Sequence, residues 1–251
     1  MVHFVGAGPG APDLITLRGA ALLERADVII YAGSLVNPAL LERKKPGCTV
    51  YNSAKMHLDE VIAVMVRAEV AGETTVRLHT GDASLYGAIR EQMDELDARG
   101  IAYDVTPGVS SFCGAAASLC AEYTLPGVSQ SLIITRLSGR TAVPEAESLR
   151  AFAAHGASMA LFLSAGMLAR VQEELLAGGC RADTSAALVY KATWPEEKIV
   201  RCTVGTLARA GAAAGISKTA LVMVGDFLAA QGERSRLYDP SFTTEFREGT
   251  K

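Results

Sequence analysis

The first 120 residues alternate in a way that few architectures allow. Short apolar runs, each ending in a glycine-bearing turn, are separated by stretches with the apolar spacing of an amphipathic helix. "VHFVGAGPG", "DVIIYAG", "TTVRLHTGDAS" and "AYDVTPGVSS" have strand character, and "TLRGAALLERA", "LDEVIAVMVRAEVAG", "YGAIREQMDELDARG" and "SFCGAAASLC" have helical character. Strand, helix and strand in succession build a parallel sheet, because a parallel neighbour is reached only by a crossover. Thr16 is placed to cap the first helix and Gly72 to stop the second.

The alternation breaks at "YTLPGVSQ", with Pro126 and Gly127, and this marks a boundary between domains 1–124 and 125–251. Beyond it, "SLIITRLSG", "SMALFLSA", "SAALVYKATW", "EKIVRCTVGTLA" and "TALVMVGDF" read as strands, and "MLARVQEELLAGG" reads as a helix. The turn signals in "KATWPEEKIVR" predict an antiparallel pair around it. The expected fold class is therefore α/β, with a parallel sheet in the N-terminal domain and a mixed sheet in the C-terminal one. The stretch from Gly232 onward is polar and is expected to pack loosely.

Composition narrows the function classes. Of 251 residues, 49% are hydrophobic and 20% charged, as in a globular protein with a sizeable core. The net charge of −3 speaks against a nucleic-acid partner. Cys48, Cys113, Cys120, Cys180 and Cys202 have no C-x-x-C spacing, which predicts reduced thiols rather than a zinc or disulfide framework. The first residues lack a basic segment followed by a signal-length apolar run. No apolar stretch approaches the ~18 residues of a membrane span. These features predict a cytoplasmic protein with no membrane partner.

The opening "HFVGAGPGAPDLIT" matches G-x-G-x-x-G/A at Gly6, Gly8 and Ala11. A dinucleotide site would start its helix at the third small residue, so that the pyrophosphate caps it. Pro9 and Pro12 disfavour helix at Gly8 and Ala11, and the helix is expected near Thr16. The ribose-binding acid due about 20 residues on is absent, since that stretch ends in Tyr31, Ala32 and Gly33. A nicotinamide oxidoreductase is thus disfavoured. The alternatives are a tight packing turn and a rigid loop lining an active site.

Five loops follow strand candidates: "GAGPGAPDL" (6–14), "YAGSLVNP" (31–38), "HTGDASLYG" (79–87), "TPGVSS" (106–111) and "TRLSGRT" (135–141). In parallel α/β sheets such loops gather where ligands bind. Together with the late strand "ALVMVG" they resemble the tetrapyrrole methyltransferases that use S-adenosylmethionine, over nearly the whole chain up to the polar tail. "YAGSLVNPALL", "TRLSGRT" and "VYKATWPEEKIVR" resemble the branch that methylates precorrin-4 at carbon 11, a step of cobalamin biosynthesis. Three departures stand out. Ala11 replaces an acid common in the family and leaves Asp13, Ala83 replaces a proline, and Lys55 and His57 stand where small polar residues are expected.

The resemblance implies two α/β domains with the active site in the cleft between them, usually in a homodimer. It implies S-adenosylmethionine as cofactor, released as S-adenosylhomocysteine, with contacts at Pro9, Thr80, Gly81, Asp82, Leu85, Ser110, Ser111, Met167, Ala187, Thr219 and Ala220. On physical grounds Asp82 can accept hydrogen bonds from amino or ribose groups, Gly81 permits close backbone approach, and Met167 can wall an adenine. Asp82 as a turn residue and Met167 as plain core are the competing readings.

The implied substrate is a precorrin-4-type macrocycle rich in carboxylates, which calls for arginine and lysine. Arg136, Arg140 and Lys191 are the main candidates, with Asp13, Tyr31 and Ser34; Lys198 and His79 are weaker, and His79 has the character of a structural residue. His57 and His155 read as surface residues. Methyl transfer from a sulfonium requires no protein nucleophile, and no catalytic residue or metal ligand is assigned. Methylation of another macrocycle position, as in the sirohaem branch or at carbons 17 or 20, and a non-catalytic tetrapyrrole carrier are the alternative functions.

Overall fold

The computed structural model describes residues 1–33, 35–229 and 232–250. In the first part of the chain, β1 (Val2–Gly6), β2 (Val28–Tyr31), β3 (Thr49–Asn52), β4 (Thr75–His79) and β5 (Tyr103–Thr106) form an all-parallel sheet in the order β3-β2-β4-β1-β5. Four of these strands, β1, β2, β4 and β5, were legible in the sequence. The edge strand β3 was not, because "TVYN" is four residues long and only partly buried. Helices α1 (Leu17–Arg25), α2 (Leu58–Val70) and α3 (Ile89–Asp97) cover the sheet, and α4 (Ser111–Leu119) follows β5.

Both faces of the sheet are covered, which explains the near-continuous apolar runs. Val5, Ile29, Val76 and Leu78 pack with Leu23 of α1. Phe4 and Ile30 pack on the opposite side with Val61, Ile62 and Met65 of α2 and Leu96 of α3. The first helix begins at Leu17, where the Thr16 hydroxyl accepts the Gly19 amide at 3.1 Å. Helix α3 begins at Ile89, later than the pattern from Tyr86 implies, because Tyr86 (φ 56°) and Ala88 (φ 48°) are left-handed and cannot continue a helix.

Strand order places a ligand-binding position. After β1 the chain moves across β4 to β2, with α1 on one face; after β4 it moves across β1 to β5, with α3 on the other. The loops leaving these adjacent strands therefore part to opposite faces. At the carboxyl ends of strands, such a switch point is where open α/β sheets bind ligands.

In the second part of the chain, β6 (Leu132–Arg136), β7 (Ser158–Phe162), β8 (Ser185–Tyr190), β9 (Lys198–Thr203) and β10 (Ala220–Val224) form a mixed sheet in the order β6-β7-β10-β8-β9. β6 and β7 are parallel and the other neighbours antiparallel, including the β8–β9 pair that the turn signals predict. One face packs against α5 (Leu149–Ala153), α6 (Leu168–Ala177) and α7 (Leu207–Ala213) through Leu149, Leu168, Val171, Leu175 and Leu207. α5 and α7 escaped the sequence reading because five and seven residues are too few for a helical period to show.

The chain divides into two compact units, Met1–Ala115 with Lys191–Glu197, and Ala116–Tyr190 with Lys198–Lys251. Pro126 and Gly127, the boundary signals in the sequence, lie in the loop between α4 and β6. The compact division falls inside α4 and assigns the turn after β8 to the first unit. The tail, polar overall, also exposes Leu237, Tyr238, Phe242 and Phe246. It folds on itself around Arg247, whose guanidinium donates to the Leu237 and Asp239 carbonyls at 3.0 and 2.6 Å. No helix among the described residues is long and apolar enough to cross a membrane.

Candidate active site

Three glycines from three loops meet at the carboxyl ends of β1, β4 and β5. A Cβ added to Gly6 would stand 2.5 Å from Gly108 Cα and 2.6 Å from the Gly81 carbonyl oxygen. A Cβ on Gly108 would stand 2.7 Å from Gly6 Cα and nearer still to that oxygen. No side chain fits there, so the three backbones touch directly. The contact is stitched by Gly8 and Gly81, which exchange amide and carbonyl bonds of 3.2 and 2.9 Å; both are left-handed, with φ of 80° and 60°. Glycine takes that conformation without a steric penalty.

Asp82 holds the junction from the side. Its carboxylate accepts the Gly108 amide at 2.8 Å, and the amide and hydroxyl of Ser84 at 2.9 and 2.5 Å. Partial burial raises its pKa, but the bonds from Ser84 and Gly108 outweigh this and hold it below the usual aspartate value. Three of about four acceptor positions on an ionised carboxylate are thereby filled, leaving room for one more donor. Next along the chain from this network, Ser110 is buried and its carbonyl accepts the Cys113 and Gly114 amides of α4. A Cβ on Gly81 would lie 3.3 Å from the Ser111 nitrogen. Pro9, also buried, abuts α4, since a Cβ on Gly114 would stand 2.6 Å from Pro9 Cβ. Leu85 follows in the turn that its amide closes onto the Asp82 carbonyl at 3.3 Å. The structure thus gathers the seven expected cofactor residues of the first unit at one strand-end network.

Below the junction, β4 carries polar groups inside the core. Arg77 is 6% exposed and donates to Gln92 Oε1 at 2.9 Å and to the Ile30 carbonyl at 3.2 Å. Burial without a carboxylate partner lowers its pKa to about 10. His79 is 4% exposed and stacks on Phe4. Burial, with the Arg77 charge nearby, lowers its pKa to about 3, so the ring is neutral. Its Nε2 has no hydrogen-bond partner, so the ring is buried without being fully satisfied. The Thr80 hydroxyl next to it is buried and likewise unpartnered.

Residues expected to hold substrate are distributed differently. Asp13 is exposed in a 3-10 turn, Pro12–Leu14. Tyr31 ends β2, and its carbonyl accepts the Ser53 hydroxyl at 3.1 Å. Ser34 lies outside the described residues. Lys191 Nζ sits 4.8 Å from the centre of the Trp194 ring and 3.5 Å from Glu196.

In the second unit, Arg136 is turned onto its own loop, donating to the Thr141 and Ala142 carbonyls at 3.1 and 2.8 Å. Arg140 is exposed. Lys198 donates to the Ala214 carbonyl at 3.2 Å. Met167 lies under Gly139 of the same loop, 3.2 Å from where its Cβ would be, and packs with Ala220 in one core cluster. Thr219 precedes Ala220 in a left-handed conformation, φ 55°. Ala187 is fully buried between Met223 and Arg201 in register, and successive strand residues face opposite ways, so its methyl points away from the cluster that holds Ala186 and Leu188.

Some residues escaped the sequence reading. Leu163 is left-handed (φ 50°) and 61% exposed at the end of β7, beside the fully buried Ser164, whose hydroxyl accepts the Leu137 amide at 2.9 Å. A bulky left-handed residue is unusual and such strain gathers at functional sites, yet nothing in "FLSAG" signals it. The meeting of Gly6 with Gly108 had a signal, in glycines that follow strands in "GAGPG" and "TPGVSS". Chemically, the ensemble offers fixed amides, hydroxyls and one ionised carboxylate. Among the described residues, no group of three His, Cys, Asp or Glu is placed to hold a metal. The helix start at Leu17 also leaves the glycine loop without the helix terminus that a pyrophosphate site requires.

A profile of the Tetrapyrrole (Corrin/Porphyrin) Methylases matches residues 1–208. The chain is 53% identical over 251 residues to a cobalt-precorrin-4 C(11)-methyltransferase of Methanocaldococcus jannaschii, covering 100% of this chain and 97% of the relative. It is 48% identical over 250 residues to a precorrin-4 C(11)-methyltransferase of a Sinorhizobium species, covering 98% of each. The X-ray structure of a cobalamin biosynthetic enzyme, cobalt precorrin-4 methyltransferase, superposes with a TM-score of 0.89 at 46% identity, over 91% of this chain and 96% of that one. A uroporphyrin-III C-methyltransferase of Thermus thermophilus in complex with S-adenosylhomocysteine superposes with a TM-score of 0.75 at 26% identity, over 93% and 95%. With the parallel sheet, the mixed sheet and the glycine-built strand ends all in place, the chain belongs to the tetrapyrrole methylases.

Proposed function

We propose that the protein transfers a methyl group from S-adenosylmethionine to carbon 11 of precorrin-4, in cobalamin biosynthesis. The observation that carries this reading is the end-to-end match, at 53% and 48% identity, to two relatives named for that reaction. The relative named for a different macrocycle stands at 26%.

The residues present suit the cofactor. The unpartnered, buried Thr80 hydroxyl and the open acceptor position on Asp82 are polar sites at a strand-end switch point, next to backbone that no side chain obstructs. When bound, S-adenosylmethionine supplies an electrophilic methyl on a sulfonium. The chain's contribution is alignment, which can be worth roughly 7–11 kcal/mol. Rigid backbone at Gly6, Gly81 and Gly108 fixes where Thr80 and Asp82 stand. Asp82 stays ionised at neutral pH because its pKa is lowered, so it presents an acceptor rather than a donor. For the substrate's carboxylates, exposed Arg140 is the stronger candidate. Arg136 shapes the loop that carries it, through the Thr141 and Ala142 carbonyls. The same reading includes a homodimer in the cytoplasm, supported by the family resemblance, and a small-molecule rather than nucleic-acid partner, supported by the net charge of −3. Light scattering tests the dimer.

The direct test is incubation with S-adenosylmethionine and enzymatically prepared precorrin-4, in cobalt-free and cobalt-loaded forms. The product is then analysed by mass spectrometry and NMR. Gain of one methyl at carbon 11 is expected. Gain at another carbon, or only on an earlier macrocycle, moves the substrate within the family.

A further inference from the structure

The glycine-rich loop is held in two halves by two different devices. Up to Gly8 it is fixed by the strand ends, through the Gly8–Gly81 bonds and the contact of Gly6 with Gly108. At Gly10 the Asn37 side chain, from the loop after β2, donates to the carbonyl at 2.9 Å. The turn Lys191–Glu197 packs on the same stretch. Trp194 lies so close over Gly10 that an added Cβ would overlap its ring, and the Ala192 carbonyl would be 2.7 Å away. Thr193 Oγ1 accepts the Ala11 amide at 2.9 Å, and the Thr193 methyl faces Gly114.

The turn is itself strained and braced. Lys191 (φ 47°) and Thr193 (φ 67°) are left-handed, and for a β-branched threonine that conformation is a clear outlier. Strain of this kind persists where the surroundings over-determine it, and it gathers at functional positions. The surroundings here are the Glu197 carboxylate, which accepts the Thr193 amide at 2.6 Å, and the Trp194 and Glu197 amides closed onto Lys191 and Trp194. Lys191 Nζ sits over the Trp194 ring at 4.8 Å.

We propose that this turn is a positioning element for the macrocycle, with Trp194 seated on Gly10 as its main contact. The inference rests on the functional reading above. It follows from the division of the loop: the half held by the strand ends adjoins Thr80 and Asp82, while the half held with the turn carries exposed Asp13, which the family resemblance implies as a substrate contact. Trp194 and Thr193 are therefore positioning residues, and their loss separates macrocycle use from cofactor binding.

Trp194 is the one tryptophan in the chain, so its fluorescence reports the seat independently of activity. Gly10 is not left-handed, so Gly10→Ala meets only the steric obstacle. Gly10→Ala is expected to shift the emission to the red and raise quenching by acrylamide. Trp194→Ala is expected to lower kcat/KM for precorrin-4 at least tenfold, with S-adenosylhomocysteine affinity by calorimetry changed less than threefold. Trp194→Phe should retain most of the activity, and Gly10→Ala combined with Trp194→Ala should fall no further than either alone. If Trp194→Ala does not fold, Gly10→Ala decides by the same split. The inference is overturned by unchanged emission in Gly10→Ala, by full activity in Trp194→Ala, or by equal losses for both ligands. A wild-type protein inert toward precorrin-4 removes the functional reading and the positioning role with it, while the emission of Gly10→Ala still shows whether the seat exists.

Discussion

Replacing Gly108 by alanine puts one methyl group where three backbones meet. The new Cβ would stand 2.7 Å from Gly6 Cα, 2.8 Å from the Gly6 carbonyl carbon and closer to the Gly81 oxygen. All three obstacles are main chain, so no side-chain rotation relieves them. Overpacking of this kind costs roughly 1–3 kcal/mol. Moving the Gly108 amide from Asp82 loses a hydrogen bond to a charged group, roughly another 1.5–3 kcal/mol. Together they remove about 2.5–6 kcal/mol from a domain stability of typically 5–15 kcal/mol. The variant should fold, with a clearly lowered urea midpoint. S-adenosylhomocysteine affinity, measured by calorimetry below that midpoint, should fall at least tenfold because Asp82 and the strand ends move with Gly108. Gly47→Ala is the control. Gly47 is left-handed (φ 80°) with nothing within 4 Å of its Cβ, so only the conformational penalty of about 1–2 kcal/mol applies. If the two variants have the same midpoint, and Gly108→Ala binds S-adenosylhomocysteine normally, the glycine junction does not organise the site.

Three further outcomes are expected. Asp82→Ala should remain folded and lose S-adenosylhomocysteine affinity; normal calorimetric affinity with a lowered melting temperature would leave Asp82 as a loop brace only. Arg136→Ala should free the 137–142 loop, seen as faster amide exchange there, and should weaken macrocycle use more than cofactor binding; equal losses would indicate general damage. His79 is neutral when folded, with a pKa near 3 against an ordinary 6.5, so below pH 6.5 the unfolded chain takes up a proton that the folded one refuses. Its contribution to stability therefore falls by roughly 1.4 kcal/mol per pH unit from pH 6.5 downward. Urea midpoints between pH 7 and pH 5 should drop less in His79→Phe than in wild type, and parallel drops would rule out His79 as the cause.

Much of this molecule was written in local pattern. Apolar runs ending in glycine announced β1, β2 and β4, because strands buried on both faces favour apolar residues, and the edge strand β5 was announced by its place between a helix and the Pro-Gly turn. Thr16 announced the start of α1, and the Trp-Pro turn announced the β8–β9 hairpin. Elements of four to seven residues, such as β3, α5 and α7, did not show, since so few positions carry no period. Leu163 and Thr193 were invisible for another reason. Their left-handed backbones are imposed by neighbours, against the preference of the residues themselves.

The sequence alone determined the fold class, the order of strand-end loops and the residue types those loops offer. These depend on spacing and on short-range preferences, which any unbroken stretch of chain displays. Only the tertiary structure decided which loops touch. Gly6 meets Gly108, 102 positions further along the chain, because β1 and β5 are neighbours in the sheet, and Trp194 reaches Gly10 from the turn that follows β8 in sequence. It also settled which charged groups are already engaged, turning Arg136 inward onto its loop while leaving Arg140 exposed. Contacts between residues so distant in sequence follow from strand order and crossover side, and neither is encoded within any one segment.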